Sequence, residues 1–360
     1  MISLSRGLRL PAVVVAVVTS ALVMLVPADA VDAPTCRGRA ATIVGTSFDD
    51  ELLGTPRRDV IVGLGGADLI RARGGDDLIC GGDDHDEVHG GNGDDRVFGQ
   101  GDTIYPEDNR GDRFWSDPGD DLFQGGDEGA FDLWDSVRYR REDSAVAVDL
   151  LQERAHGEHS GHDVLRDIEA VVGTPFPDIL LGGMDDELLW GSGGGDVITG
   201  SYGDDYLAGV GGPDEIRGGT GHDQIQGNAA ADVIWGGSGP DFIDGRRHAD
   251  KMRGGRGRDS IAGGSGNDRL RGGPGVDHLD GGAGRDLCYV DDRDRVESCV
   301  VVTVGDAASG ARRELRQRAG PLDRAVGGKQ NRQPEDERRG GSWRARDADV
   351  PVRTDPGGVA

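Results

Sequence analysis

A glycine stands at every ninth position from residue 173 to residue 281, thirteen times without a miss. Five residues after each comes a carboxylate: Asp178, Glu187, Asp196, Asp205, Asp214, Asp223, Asp232, Asp241, Asp250, Asp259, Asp268, Asp277 and Asp286. Two residues further on comes a side chain of buried type, as in Leu180, Ile198, Ile216, Ile234 and Leu270. Even among 64 glycines, three columns in register demand a repeat architecture. The unit reads G-G-x-G-x-D-x-U-x, with U large and aliphatic, and residues 254–262 and 263–271 are clean copies. Its glycines permit the positive φ and close backbone approach of a tight turn. Its last three residues alternate around U as a very short strand with one inward side chain does. One unit therefore supplies a turn and a strand. Two units close a flattened coil, and stacked coils form two parallel sheets. Such a coil buries one aliphatic column per sheet, so something besides burial must hold it.

Stacking sets the Asp of one coil beside the Asp of the next, and close carboxylates repel unless a cation lies between them. A hard cation with flexible oxygen coordination suits carboxylates and turn carbonyls, whereas Zn²⁺ prefers His or Cys. These residues resemble the repeats-in-toxin (RTX) nonapeptide, the haemolysin-type calcium-binding repeat. The resemblance implies an all-β fold, a right-handed parallel β-roll. It also implies Ca²⁺ between turns, held by the sixth-position Asp and backbone carbonyls. Carried onto this chain, the expected ligands are Asp68, Asp77, Asp86 and Asp95 in a first block. In a second block they are Asp196, Asp205, Asp214, Asp223, Asp241, Asp259, Asp268, Asp277 and Asp286. Strong binding is not expected at Asp178, Asp232 or Asp250, whose turns lack glycines, nor at the glycine-poor turns around residues 46–48 and 55–57.

In chain order, residues 1–30 read as an export signal. Arg6 and Arg9 precede an apolar run over residues 12–26, and Ala28-Asp29-Ala30 is a small-x-small cleavage site. Four cysteines in an exported chain point to disulfides with three possible pairings; Cys36–Cys80 and Cys288–Cys299 are favoured, each pinning a non-repeat segment over an open end of a coil. Residues 31–98 form an N-terminal cap and first repeat block, and residues 173–302 a second block with its disulfide cap. Between them, residues 99–172 break the period, with a worn repeat at residues 120–123 and alternating segments at 135–139 and 145–150. They resemble the strand pair that interrupts such rolls in secreted metalloprotease relatives, and a protruding hairpin is expected. Residues 303–360 have no period and read as a disordered tail.

Charge sets the expected mechanism. The chain carries a net −26; residues 301–360 hold twelve Lys/Arg against nine Asp/Glu, so the rest carries −29. Roughly fifteen Ca²⁺, about thirty positive charges, would balance it. Calcium binding and folding are then one event. So acidic a body disfavours nucleic acid and anionic lipid.

Chemistry of other kinds finds little footing. His156, His159 and His162, beside Glu158 and Asp163, have a metal-ligand flavour but no helix to order them, and a polar hairpin tip is the plainer reading. His85-Asp86-Glu87-Val88-His89 has the wrong order for a zincin, and no G-x-S-x-G elbow occurs. Enzymatic relatives carry a separate catalytic domain, for which the repeats leave no room. The expectation is a secreted, non-enzymatic calcium-binding protein. The alternative is a surface or matrix interaction protein presenting its hairpin to a cell-wall or matrix polymer. A hydrolase working at the middle insertion ranks last.

Overall fold

The computed structural model describes residues 34–100, 111–126, 134–140 and 143–303, with the backbone of three further short strands, Val15–Val18, Ala21–Met24 and Arg316–Gln317. Apart from those three strands, the export signal and the tail beyond residue 303 lie outside the described residues. The structure is a parallel β-solenoid. Successive units alternate between two sheets, one of thirteen strands and one of nineteen that includes the three short pieces. In the regular coils each strand pairs in parallel with the strand eighteen residues on: Ile198 faces Ile216, Ile216 faces Ile234, and Ile234 faces Met252. On the other sheet Leu207 faces Ile225, and Ile225 faces Ile243. All of these U residues are buried between the sheets. The β-branched isoleucines suit this stacking, because their restricted χ1 costs little in an extended backbone.

The turns stack as closely as the strands. Gly237 and Gly239 have φ of +128° and +126°. A Cβ on either would sit 2.1 Å and 1.8 Å from the carbonyl oxygens of Gly219 and Gly221 in the preceding coil. Only glycine allows both the conformation and the approach. Where the sequence departs from glycine, the conformation persists: Asn228, Ala230, Arg246 and His248 all take positive φ between 69° and 91°.

The central segment does not interrupt the core. Phe114, Phe123, Val137, Leu165 and Val171 continue the inward column between the blocks, and one hydrophobic cluster runs from Ile43 to Cys299. The antiparallel insertion differs from the hairpin expected from the sequence. Ser136–Arg138 is an ordinary parallel strand of the thirteen-stranded sheet, between Arg113–Trp115 and Ala170–Val172. The antiparallel strands are Val146–Asp149, Arg154–Gly157 and Gly161–Arg166, a meander lying within the other sheet. Its outer members pair in parallel with the coils on either side, Leu122–Gln124 and Ile179–Leu181. The reason is register: Val148 and Leu165 fall at inward positions, so burying them forces the meander into the sheet plane.

Both favoured disulfides are present, each with Cα atoms 5.7 Å apart. They close the roll in different ways. Cys80 follows the inward Ile79 and therefore points outward, so Cys36–Cys80 lays the N-terminal segment across the outer face of a sheet rather than over a coil end. There Cys36, Ala41, Val44, Val62, Leu78 and Phe98 form a second small cluster, and Arg37 sits 4.1 Å above the Phe98 ring. Cys288 occupies an inward position, and its bridge to Cys299 closes the C-terminal end. The final coil is short there, and Cys288 pairs with Val301.

Candidate calcium sites

Each repeat Asp sits at the base of its turn, just before the inward strand residue, and the stacked coils line these residues into two ridges. Along each ridge the main-chain N–H of one Asp donates to Oδ1 of the Asp one coil later. Asp196 donates to Asp214 (2.9 Å), Asp205 to Asp223 (3.1 Å), Asp214 to Asp232 (2.9 Å), and so on to Asp268 and Asp286 (2.9 Å). The first block repeats the pattern, from Asp50 to Asp68 (2.8 Å) and Asp77 to Asp95 (2.8 Å).

The second carboxylate oxygen is the informative one. In Asp68, Asp77, Asp95, Asp196, Asp205, Asp214, Asp223, Asp241, Asp259, Asp268, Asp277 and Asp286, Oδ2 is buried and has no hydrogen-bond partner; Asp86 takes the same place in the ladder. Asp232, Asp250 and Oε2 of Glu187 share this state, so the glycine-poor turns place their carboxylates like the rest. Each such oxygen, except that of Asp77, which has Ala72 five residues before it, faces the glycine five residues earlier. A Cβ on Gly200 would meet Oδ2 of Asp205 at 2.0 Å and the carbonyl oxygen of Gly218 at 2.8 Å; Gly236 is related likewise to Asp241 (2.3 Å) and Gly254 (2.7 Å). The missing side chain leaves a cradle shared by an unpartnered carboxylate oxygen and a carbonyl from the next coil.

This donor set fits Ca²⁺. No three His, Cys, Asp or Glu side chains converge on one point among the described residues. A cation here therefore takes much of its coordination from main-chain carbonyls, as Ca²⁺ tolerates and Zn²⁺ does not. The electrostatics agree. Burial, the largest cause, pushes Asp68, Asp77, Asp95, Asp196, Asp214, Asp223 and Asp241 up to about 7 and Asp250 to about 8. Asp232, Asp268 and Asp277 rise to about 6 for the same reason. Burial also raises the adjacent Glu187 and Asp205. These groups resist holding a bare charge in the fold.

Three carboxylates are satisfied differently. In the turns that begin Gly-Thr, the threonine supplies both its main-chain N–H and its hydroxyl to the Asp: Thr46 to Asp50 (2.6 and 2.8 Å), Thr55 to Asp59 (2.7 and 2.8 Å) and Thr174 to Asp178 (2.6 and 2.8 Å). Two of these turns open the first block and one opens the second. Threonine provides locally what a cation provides elsewhere.

Five ladder members escaped the nine-residue spacing. Asp112 accepts from Asp86 (2.6 Å), Asp121 from Asp95 (2.9 Å), Asp135 from Asp112 (2.5 Å), Asp163 from Asp121 (3.2 Å) and Asp294 from Asp277 (3.1 Å). Insertions shift their spacing, yet each keeps an inward residue two positions on, as in Asp112-Arg113-Phe114 and Asp163-Val164-Leu165. That pair was the signal that could have found them. Asp163 differs from the repeat carboxylates, because Oδ2 accepts from the hydroxyls of Ser116 (3.3 Å) and Tyr139 (3.1 Å).

The histidine cluster does not converge. His156 and His162 oppose each other across antiparallel strands with rings stacked at 4.4 Å. His159 pairs with Asp143 at 2.5 Å, and Asp163 is buried in the ladder. His89 stacks on Trp115 at 5.3 Å and contacts Glu87 at 3.1 Å.

The model of the RTX calcium-binding nonapeptide repeat (4 copies) matches residues 44–79, 53–88, 74–103, 181–216, 208–243, 226–261 and 253–288. No curated protein matches the chain. Among solved structures, the X-ray structure of a hyperactive, Ca²⁺-dependent, β-helical antifreeze protein from an Antarctic bacterium is similar at 16% identity, over 71% of this chain and 81% of that one, with a TM-score of 0.25. At that superposition the likeness carries no weight for fold or function. With the repeat model on both blocks and a cation-fitting cradle repeated along both ridges, the chain is an RTX-repeat β-roll protein that binds Ca²⁺.

Proposed function

We propose that this is an exported protein without catalytic activity, whose roll folds as calcium enters its turns. The observation that carries the reading is the set of fifteen buried carboxylate oxygens with no partner. A buried charge without a partner opposes folding. Bound Ca²⁺ supplies the positive charge between coils; the chain supplies Oδ2, the turn carbonyls and glycine-made room. The thirteen carboxylates named from the sequence are the proposed ligands, joined by Asp232 and Asp250 on the same geometry. Export is supported by two disulfides, which persist in oxidising compartments. Among the described residues no helix is long and apolar enough to cross a membrane. The non-enzymatic reading rests on the RTX solenoid, which in general is not a catalytic fold.

Far-UV circular dichroism titrated with CaCl₂ and then with excess EGTA tests this. The expected result is a cooperative β signal appearing at about 10⁻⁴–10⁻³ M Ca²⁺, the range of extracellular modules, and lost again in chelator. A spectrum indifferent to both reagents would mean that packing and disulfides alone hold the roll.

A further inference from the structure

Alternate units feed the same sheet, so the outer face of the nineteen-stranded sheet is read in eighteen-residue steps. Strand pairing sets Arg217, Trp235, Arg253, Arg271 and Tyr289 in one outward column. Beside Arg253 and Arg271, on the same two strands, stand Lys251 and Arg269. The result is a two-by-two grid of cations, about 4.8 Å apart between strands and roughly 7 Å along each strand. An aromatic ring bounds it at either end. All four cations are exposed, and none makes an ion pair or side-chain hydrogen bond among the described residues. Arg217 is already engaged, pairing with Glu215 and lying 4.7 Å from the Trp235 ring centroid. The grid and its two aromatics line a shallow depression of about 340 Å³.

Four unpaired cations on one flat face are unexpected in a chain of net −26. A solvated surface of random composition would pair them with the abundant carboxylates. On the outward positions of these five strands the one carboxylate is Glu215, and Arg217 holds it. We infer that this face binds an acidic polysaccharide, with sugar carboxylates on the cation grid and sugar rings against Trp235 and Tyr289. Three of the four cations are arginines, whose planar fork matches a carboxylate bidentately. The aromatics add stacking surface that an inorganic anion would not need. A nucleic acid strand brings a phosphate about every 3.4 Å, a spacing denser than cations about 4.8–7 Å apart can match. A sugar acid polymer spreads its charge more thinly along a stiff chain, which suits a rigid sheet. The inference rests on the calcium-loaded roll only for the fold that holds the columns in register.

Isothermal titration of the Ca²⁺-loaded full chain with short oligogalacturonates, and separately with neutral dextran oligomers, tests it. Binding to the acidic oligomer alone is expected. It should weaken by at least about tenfold in a K251S/R253S/R269S/R271S variant and, separately, in Trp235→Ala. Because the quadruple variant could fail to fold, Arg253→Glu alone is measured beside it and should weaken binding in the same direction. Equal binding by wild type and Arg253→Glu, equal binding of dextran, or tighter binding of polyadenylate at equal charge would each overturn the inference. So would patch-dependent self-association with no glycan bound. Circular dichroism of the same samples in EGTA keeps the two readings apart. A chain that stays folded in chelator refutes calcium-driven folding, yet its glycan binding still decides the role of the face.

Discussion

At the scale of single residues, glycine in this chain marks two different requirements, and substitution separates them. At Gly200 a methyl group would enter the cradle between Asp205 Oδ2 and the Gly218 carbonyl. At Gly193 it would meet only the Pro175 backbone, at an ordinary 3.5–3.8 Å, and φ is unremarkable. Gly200→Ala is therefore expected to lower stability by about 1–3 kcal/mol and to raise the Ca²⁺ needed for folding, because overpacking and loss of the cradle coincide. Gly193→Ala should be neutral or slightly stabilising through the unfolded chain. Thermal melts at fixed Ca²⁺ compare the two. Equal effects would mean that the glycines serve the turn conformation alone.

At the scale of the turn and its strand, most of the regular roll was legible. The Gly column fixed the turns, the U column fixed the inward face, and the spacing fixed the Asp ridges. The central segment was harder because spacing is a fragile signal. Between Val88 and Phe114 the register steps by 26 residues instead of eighteen, and the nine-residue count fails although the local Asp-x-inward pair survives. The meander was misplaced because alternation in residues 135–139 shows a strand but not the sheet that receives it. The cation grid is hidden for another reason: its members belong to alternate units and meet only once the coil closes.

The same elements predict a dependence on pH. A repeat carboxyl such as Asp214 or Asp241 has an ordinary value of 3.8 and is raised to about 7 in the fold. The folded chain thus binds protons more tightly than the unfolded one. In chelator its stability is fully present below the unfolded value and is lost as pH rises through the folded values. The β signal in EGTA is expected to be retained toward pH 5 and lost by about pH 8, and millimolar Ca²⁺ should restore it at the alkaline end. A β signal that grows with pH in EGTA would contradict the buried placement of these groups.

For the molecule as a whole, the carboxylate ladder points one way. Every N–H reaches toward the C-terminal neighbour, from Asp50 to Asp68 at one end and from Asp277 to Asp294 at the other. The two ends are therefore unlike in what they lack. A roll cut at its start is left only with spare acceptors, the Oδ1 atoms that no earlier N–H reaches. A roll cut at its finish strands a buried donor, and an unsatisfied buried donor costs about 1–3 kcal/mol. Removing the final coil, residues 287–303, should thus lower the urea midpoint more than removing residues 34–62; the reverse order would deny the ladder any energetic weight. A protein of this kind can be extended or shortened by evolution at its beginning with little penalty, whereas its last coil has to arrive ready-made, a keystone fitted to the arch it closes.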